Sequence, residues 1–105
     1  DVLRDRATLS READDGRIEN VFRLHTSNTD EVPHRYSIDV KGIEGIEIVG
    51  ERLVEVPAAS SKTVALSART EPGAGKRGSN EIYFDVRAEN HDKIAVHEKT
   101  SFFLP

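Results

Sequence analysis

The clearest pattern in the chain is an alternation of apolar and polar side chains with a period of two. It is strongest over residues 18–27. One face of this segment carries Ile18, Asn20, Phe22, Leu24 and Thr26. A period of two is typical of a β-strand that buries one of its faces. The segment therefore predicts a long strand that lines the core.

Shorter alternations predict further strands along the rest of the chain. They cover residues 35–40, 46–49, 53–56, 63–68, 81–88 and 94–102, and an edge strand is also expected around Leu9. Turn-forming residues separate these segments at intervals of about 8 to 12 residues, and no segment shows a sustained helical period. We predict an all-β fold, an immunoglobulin-like antiparallel β-sandwich of about seven to eight strands, with a small barrel as the alternative.

The inward positions of the strands define a predicted core. Its members are Phe22, Leu24, Tyr36, Ile38, Val64, Leu66, Ile82, Phe84 and Val86. The chain has no cysteine and no tryptophan, so it lacks the disulfide and the buried indole of antibody domains. A length of 105 residues fits one hydrophobic core, and residues 1–105 are predicted to form a single domain.

Composition excludes several classes of function. Fifteen basic and nineteen acidic residues are interleaved along the chain, which does not favour a nucleic-acid partner. Without cysteine the chain cannot ligate an iron–sulfur cluster or provide a thiol nucleophile. Apolar runs fall far short of the roughly 20 residues that span a bilayer, and the start does not resemble a signal peptide. Any membrane tether is expected to lie outside these residues.

One glycine pattern resembles a nucleotide-binding motif but stands in the wrong context. Residues 73–78 read G-A-G-K-R-G, which matches the G-x-G-x-x-G fingerprint of dinucleotide-binding folds. That motif functions by opening a helix whose N-terminus faces a pyrophosphate. Here Ser79 and Asn80 lead into a predicted strand, so we interpret the segment as a loop. Lys76 and Arg77 form an exposed basic spot or are simply solvated.

The histidines are the main candidates for metal chemistry. His25, His34, His91 and His97 show no tight chelating spacing, and outward, solvated side chains are expected. His25 and His34 flank one connection and could approach each other at a surface metal site. Copper(I) is disfavoured because its soft ligands, cysteine and methionine, are missing.

Carboxylates and serines give no pattern of catalysis. The acidic residues that stand close in sequence, Asp14 with Asp15, Asp30 with Glu31 and Glu44 with Glu47, lie in or beside turns, where they serve backbone hydrogen bonding. No G-x-S-x-G elbow is present. The polar Asn20 on an apolar face is expected to hold a neighbouring loop rather than a ligand. We therefore assign no catalytic, cofactor-binding or metal-binding residue.

A set of short motifs in fixed order gives a family resemblance. The motifs are V-L-R-D-R at 2–6, I-E-N-V-F-R-L at 18–24, N-T at 28–29, H-R-Y at 34–36, V-K-G-I-E-G at 40–45 and K-T-S-F-F-L-P at 99–105. Together they resemble the C-terminal domain of the FixG family, also called CcoG or RdxA, which are cytochrome oxidase accessory proteins. The resemblance covers nearly the whole chain.

The resemblance implies a role within a larger protein. It implies transmembrane helices and two four-iron four-sulfur clusters elsewhere in that protein, with this domain as a periplasmic tail of an inner-membrane protein. It also implies assembly of cbb-type cytochrome oxidase through reduction of Cu(II) to Cu(I). We expect a non-catalytic interaction module, whose partner is an oxidase subunit or a copper chaperone. Direct copper handling and a purely structural tail are the alternatives.

Overall fold

The computed structural model describes residues 2–4, 10–89 and 91–105, with side chains described for 10–89 and 96–105. All regular elements in this part of the chain are β-strands, which confirms the predicted all-β class. The same residues contain no helix long and apolar enough to cross a membrane. The edge strand expected around Leu9 falls outside the described residues.

The described residues form nine strands. They are β1 (Val2–Arg4), β2 (Arg11–Glu12), β3 (Ile18–Asn28), β4 (His34–Lys41), β5 (Glu47–Val49), β6 (Leu53–Val56), β7 (Ser60–Thr70), β8 (Gly78–Ala88) and β9 (His91–Leu104). Both β1 and β2 pair with β3, the former opposite residues 22–24 and the latter opposite residues 18–19. The two short strands therefore share one edge, and the sandwich has eight strand positions.

Two antiparallel sheets make the sandwich. Sheet A has β1 and β2 on one side of β3, followed by β7 and β5, and sheet B has the order β6-β4-β8-β9. The chain crosses between the sheets repeatedly after β4, because β5 belongs to sheet A, β6 to sheet B and β7 to sheet A. The structure is thus an immunoglobulin-like sandwich rather than a barrel.

The core lies between the sheets where the alternation places it. Phe22 of sheet A meets Phe84 of sheet B edge-to-face at 5.1 Å between ring centroids, and Phe102 lies 6.5 Å from Phe22. All three rings are fully buried. Such aromatic contacts add to the free energy gained from burial. Eight of the nine predicted core residues are buried, and only Val64 is partly exposed.

Val64 departs from the prediction because of its position on the flank. It packs against the core but also lines a surface depression together with Leu53 and Lys62. The residue points inward, so the strand register is the predicted one. Strand β5 pairs with β7 only at residues 67–69, so none of the described strands flanks Val64 on that side of sheet A.

Gly42 allows β4 to end close to β8. Its φ is +128°, and a Cβ at this position would lie 2.6 Å from the backbone oxygen of Glu81. Only glycine combines this backbone angle with such a close approach. The residue therefore fixes how the chain leaves sheet B.

Candidate functional site

The glycine-rich segment connects two strands and is organised by a side chain. Asn80, which is buried at the start of β8, accepts a hydrogen bond from the Lys76 N–H (3.0 Å) and donates one to the Lys76 carbonyl (2.8 Å). A Cβ on Gly75 would lie 2.7 Å from the Asn80 Oδ1. The need for glycine here comes from Asn80, and the segment opens a strand rather than a helix. Lys76 and Arg77 are exposed.

Two of the histidines lie on outer faces of the sandwich, as expected. His25 projects from sheet A, with its Nδ1 3.0 Å from the Thr63 Oγ1. His97 projects from sheet B, where it stacks on Tyr83 at 4.4 Å and its Nδ1 lies 2.5 Å from the Asp85 Oδ1. The hydrogen bond from His97, together with Lys41 Nζ at 3.0 Å, holds the pKa of Asp85 below its usual value.

The expectation of a solvated side chain is wrong for His34. His34 lies on the inward face of β4, in line with Tyr36 and Ile38, and is buried. Its Nε2 is 2.8 Å from the Asp30 Oδ2. Burial raises the pKa of the neighbouring Tyr36, and the charge of Asp30 raises it further. The two-residue spacing from Tyr36 already indicated an inward His34.

The possible metal site between His25 and His34 does not form. His25 projects outward from sheet A toward Thr63, whereas His34 is inward on sheet B and is engaged by Asp30. Across the described ranges, no group of three or more histidine, aspartate or glutamate side chains is placed to hold a metal ion. The side chain of His91 lies outside the described residues.

The acidic residues of the turns bind neighbouring groups of the fold. Asp15 accepts hydrogen bonds from the Arg17 backbone N–H (3.1 Å) and from its Nε (3.0 Å), and these bonds lower the pKa of Asp15. Glu47 lies 2.6 Å from the other end of the Arg17 guanidinium. Asp14, Glu31 and Glu44 are exposed. These carboxylates do not converge on a pocket, so the structure gives them no acid–base site.

A buried carboxylate on the outer face of sheet A had no role in the sequence analysis. Glu19 is only 2% exposed although it points away from the core, because Arg11 of β2 and Arg69 of β7 cover it. Burial alone would raise the pKa of Glu19, but the hydrogen bonds from both guanidinium groups outweigh that effect and keep it lowered. This ion-pair cluster links β2 to β7 across β3.

Asn20 holds the end of β9. The Phe103 N–H donates to the Asn20 Oδ1 (2.8 Å), and the Asn20 Nδ2 donates to the Phe103 carbonyl (3.1 Å). Asn20 is fully buried on the inner face of sheet A, so these bonds connect the two sheets. It binds main chain as expected, although the main chain belongs to a strand rather than to a loop. The carboxamide bonds to Phe103 as the backbone of an adjacent strand would.

An apolar groove opens between the sheets on the flank formed by β3 and β9. It encloses about 370 Å³ and is lined by Leu24, His25, Thr26, Ser27, Tyr36, Val86, Val96 and Glu98. Val96 pairs with the inward-facing Val86, yet it is 43% exposed. The described part of β1 pairs with β3 only as far as Leu24, so this strand does not flank residues 25–28. The groove lies beyond that point.

Strand β9 forms the outer edge of sheet B beside this groove. It pairs with β8 on one side, and none of the described strands pairs with its other side. The pairing with β8 is regular from Val96 to Leu104 and shifts register near Arg87 and Ala88. We name this edge and the groove together the β9 flank (residues 24–27, 36, 86 and 96–101) and take it as the candidate functional surface.

Comparison with known proteins agrees with this architecture. A crystal structure of a FixG-related protein from Vibrio parahaemolyticus is similar with a TM-score of 0.84 and 20% sequence identity, covering 98% of this chain and 92% of that chain. A protein from Archaeoglobus fulgidus is similar with a TM-score of 0.52 and 16% identity, covering 100% of this chain and 96% of the other. These likenesses show the fold. None of the curated proteins matches the chain.

A family model assigns the chain directly. The model, described as "IG-like fold at C-terminal of FixG, putative oxidoreductase", matches residues 1–105. The match spans every strand of both sheets and the whole β9 flank. The chain belongs to the family of immunoglobulin-like domains found at the C-terminus of FixG.

Proposed function

We propose that this domain is the non-catalytic interaction module of a FixG-type redox protein. The observation that carries the proposal is the β9 flank, where an inward-facing valine is exposed beside a strand edge that no described strand pairs with. Apolar surface and backbone groups left open at one place are typical of a protein-binding surface. His25, His34 and His97, by contrast, each contact a neighbouring side chain within the fold.

The larger protein supplies the chemistry in this proposal. The family resemblance supports a membrane-bound protein with two four-iron four-sulfur clusters, in which this domain is a periplasmic tail. The clusters need cysteine ligands, which this chain lacks. The domain would then hold a partner in oxidase assembly, an oxidase subunit or a copper chaperone, next to the site where Cu(II) is reduced.

Deletion of residues 1–105 from the full-length protein tests the proposal. Two quantities are measured in the deletion strain: copper reductase activity per mole of inserted protein, and the amount of assembled cbb-type oxidase. We expect reductase activity to persist and oxidase assembly to fall. Loss of reductase activity at normal protein abundance would place the domain in the catalytic unit. A fall in protein abundance alone would indicate a structural tail.

Direct copper handling is a distinct function with its own test. His25 and His97 project from opposite outer faces of the sandwich, so they cannot chelate one ion together. We expect the purified chain, prepared without an affinity tag, to be colourless and to contain copper well below one equivalent. Elemental analysis after copper addition and dialysis measures the copper that remains bound per chain. One tightly held equivalent would replace the interaction module by a copper-binding function.

A further inference from the structure

We propose that the edge of β9 from Val96 to Ser101 binds an extended segment of a partner protein, which adds a fifth strand to sheet B. The inference rests on the proposed function and names the surface and the mode of docking. Addition of a strand to an exposed sheet edge is a general mode of peptide recognition. Four features of the β9 flank support it: backbone direction, length, side-chain pattern and charge.

The direction of the backbone groups follows from Asn20. Both the N–H and the carbonyl of Phe103 are bonded to Asn20, so this residue directs its backbone groups away from β8. In an antiparallel pair, successive residues alternate between groups that face the partner and groups that face away. Ser101, Lys99 and His97 therefore direct their N–H and carbonyl groups toward the side of β9 that no described strand pairs with, which we call the open edge, at the spacing that another strand requires.

Two features limit the length of the open edge. Asn20 occupies the backbone groups of Phe103 at one end. The register of β8 and β9 shifts between Arg87 and Ala88 at the other end, beyond Val96. Bulges and short regular stretches restrict edge-to-edge pairing. The regular edge between these limits fits a segment of about six residues, since paired strands have equal rise per residue.

The side-chain pattern gives the chemistry of the segment. Residues of the added strand opposite Val96 and Glu98 would point inward, over the groove beside Leu24. The residue opposite Val96 is therefore apolar, because it covers exposed apolar surface. The residue opposite Lys99 points outward, and an acidic side chain there complements the exposed lysine. The occupant is an extended segment with an apolar residue and an acidic residue three positions apart.

A second copy of this chain is a poorer occupant. In a symmetric dimer formed by two β9 edges, His97, Lys99 and Ser101 of both copies would all pair only if the twofold axis passed through Lys99. The two Lys99 side chains would then lie directly opposite each other, which is destabilising. A helical segment would leave the edge N–H and carbonyl groups without partners. An extended heterologous segment avoids both costs.

The first experiment tests the edge geometry in the purified chain by amide hydrogen exchange. The amides of His97, Lys99 and Ser101 are expected to exchange fast, and those of Glu98 and Thr100 to be protected by β8. Uniform protection along residues 97–101 would overturn the proposal, because no backbone donor would then be open to a partner. A concentration-dependent dimer whose formation protects the three amides would identify a second copy as the occupant, and would also overturn it.

The second experiment uses Lys99→Pro and Lys99→Gln in the full-length protein. Proline removes an N–H that faces the open edge and leaves the ladder to β8 intact, whereas glutamine keeps the N–H and removes only the charge. Loss of one such bond weakens partner affinity by about tenfold or more. We expect Lys99→Pro to lower assembled oxidase toward the level of the domain deletion at unchanged protein abundance, and Lys99→Gln to have a much smaller effect.

A second pair of variants covers the case in which proline impairs folding. Val96→Lys places an inward-pointing charge at the groove and keeps every backbone group. Its control is Leu53→Lys, because Leu53 is 48% exposed on the opposite edge of the same sheet. Val96→Lys should reduce oxidase assembly and Leu53→Lys should not. If oxidase assembly is normal in both Val96→Lys and Lys99→Pro but reduced in the deletion, the edge proposal is overturned. The proposal of an interaction module is then still supported. Normal assembly in the deletion itself overturns both.

Discussion

Replacement of Asn20 by leucine removes the link between the inner face of sheet A and the end of β9. Leucine has the same branching and the same number of side-chain heavy atoms, so the change removes the hydrogen bonds without leaving a cavity. Two bonds are lost, at 2.8 and 3.1 Å, and each contributes about 0.5–1.5 kcal/mol net. The N–H and carbonyl of the half-buried Phe103 also lose their partner, at a further cost. We expect the free energy of unfolding to fall by about 2–4 kcal/mol.

Urea unfolding of the purified chain measures this loss, with Thr26→Val as control. Thr26 lies on the same face of β3 but is half-exposed, and its variant should stay within about 0.5 kcal/mol of wild type. Urea unfolding of Asn20→Asp separates the contributions of the two hydrogen bonds to stability. Aspartate keeps the acceptor for the Phe103 N–H but sets a buried carboxylate against the Phe103 carbonyl, which raises the folded-state pKa of the new side chain.

The aspartate variant therefore has a defined pH dependence. A folded-state pKa above the unfolded value makes the variant least stable at neutral pH, and its deficit relative to wild type shrinks as the pH falls through the folded pKa. Asn20→Leu should show no such change in deficit. A loss below about 0.5 kcal/mol for Asn20→Leu would refute the reasoning, since it would mean that water replaces the carboxamide at Phe103.

Three further predictions concern stability. Phe84→Ala should cost about 3–5 kcal/mol because it removes a fully buried ring, whereas the exposed Arg87→Ala should stay within about 0.5 kcal/mol; equal losses in urea melts would contradict the assigned strand faces. Gly42→Ala should lower the thermal midpoint more than Gly16→Ala, because both glycines have positive φ but only Gly42 has backbone in the way of a Cβ. Glu19→Gln should lower stability at pH 7. Because the folded-state pKa of Glu19 is lowered, the advantage of wild type over this variant should be lost as the pH falls below about 4.3 and through that pKa; a constant difference from pH 7 to pH 2 would contradict the ion-pair assignment.

The strands and their faces were predictable because burial of one face leaves a period of two in the sequence. Residues 53–56 were predicted with the observed bounds, and the long strands differ from prediction by a few residues at their ends. The sheet to which each strand belongs was not predictable. Residues 47–49 and 53–56 show similar short patterns, yet β5 and β6 join different sheets. Alternation records that a face is buried and does not record which strand covers it.

The polar features of the β9 flank and of sheet A depended on contacts between distant residues. Glu19 occupies an outward position in the alternation, and its burial comes from arginines 8 residues before it and 50 residues after it. The partner of Asn20 lies 83 residues away. Val96 is inward and exposed because the sandwich is open beside it. No local pattern carries such information, whereas the inward position of His34 was available from its spacing to Tyr36.

The repeated crossing of the chain after β4 makes the two flanks of the sandwich mechanically unequal. On the β5 and β6 flank the sheets are joined by covalent chain, which passes from one sheet to the other three times between β4 and β7. On the opposite flank, the carboxamide of Asn20 bridges the sheets. Thermal fluctuations that separate the sheets should pivot about the β5 and β6 flank, and the separation should be largest at the opposite flank. The two sheets are therefore expected to stay together at β5 and β6 and to separate most at the groove.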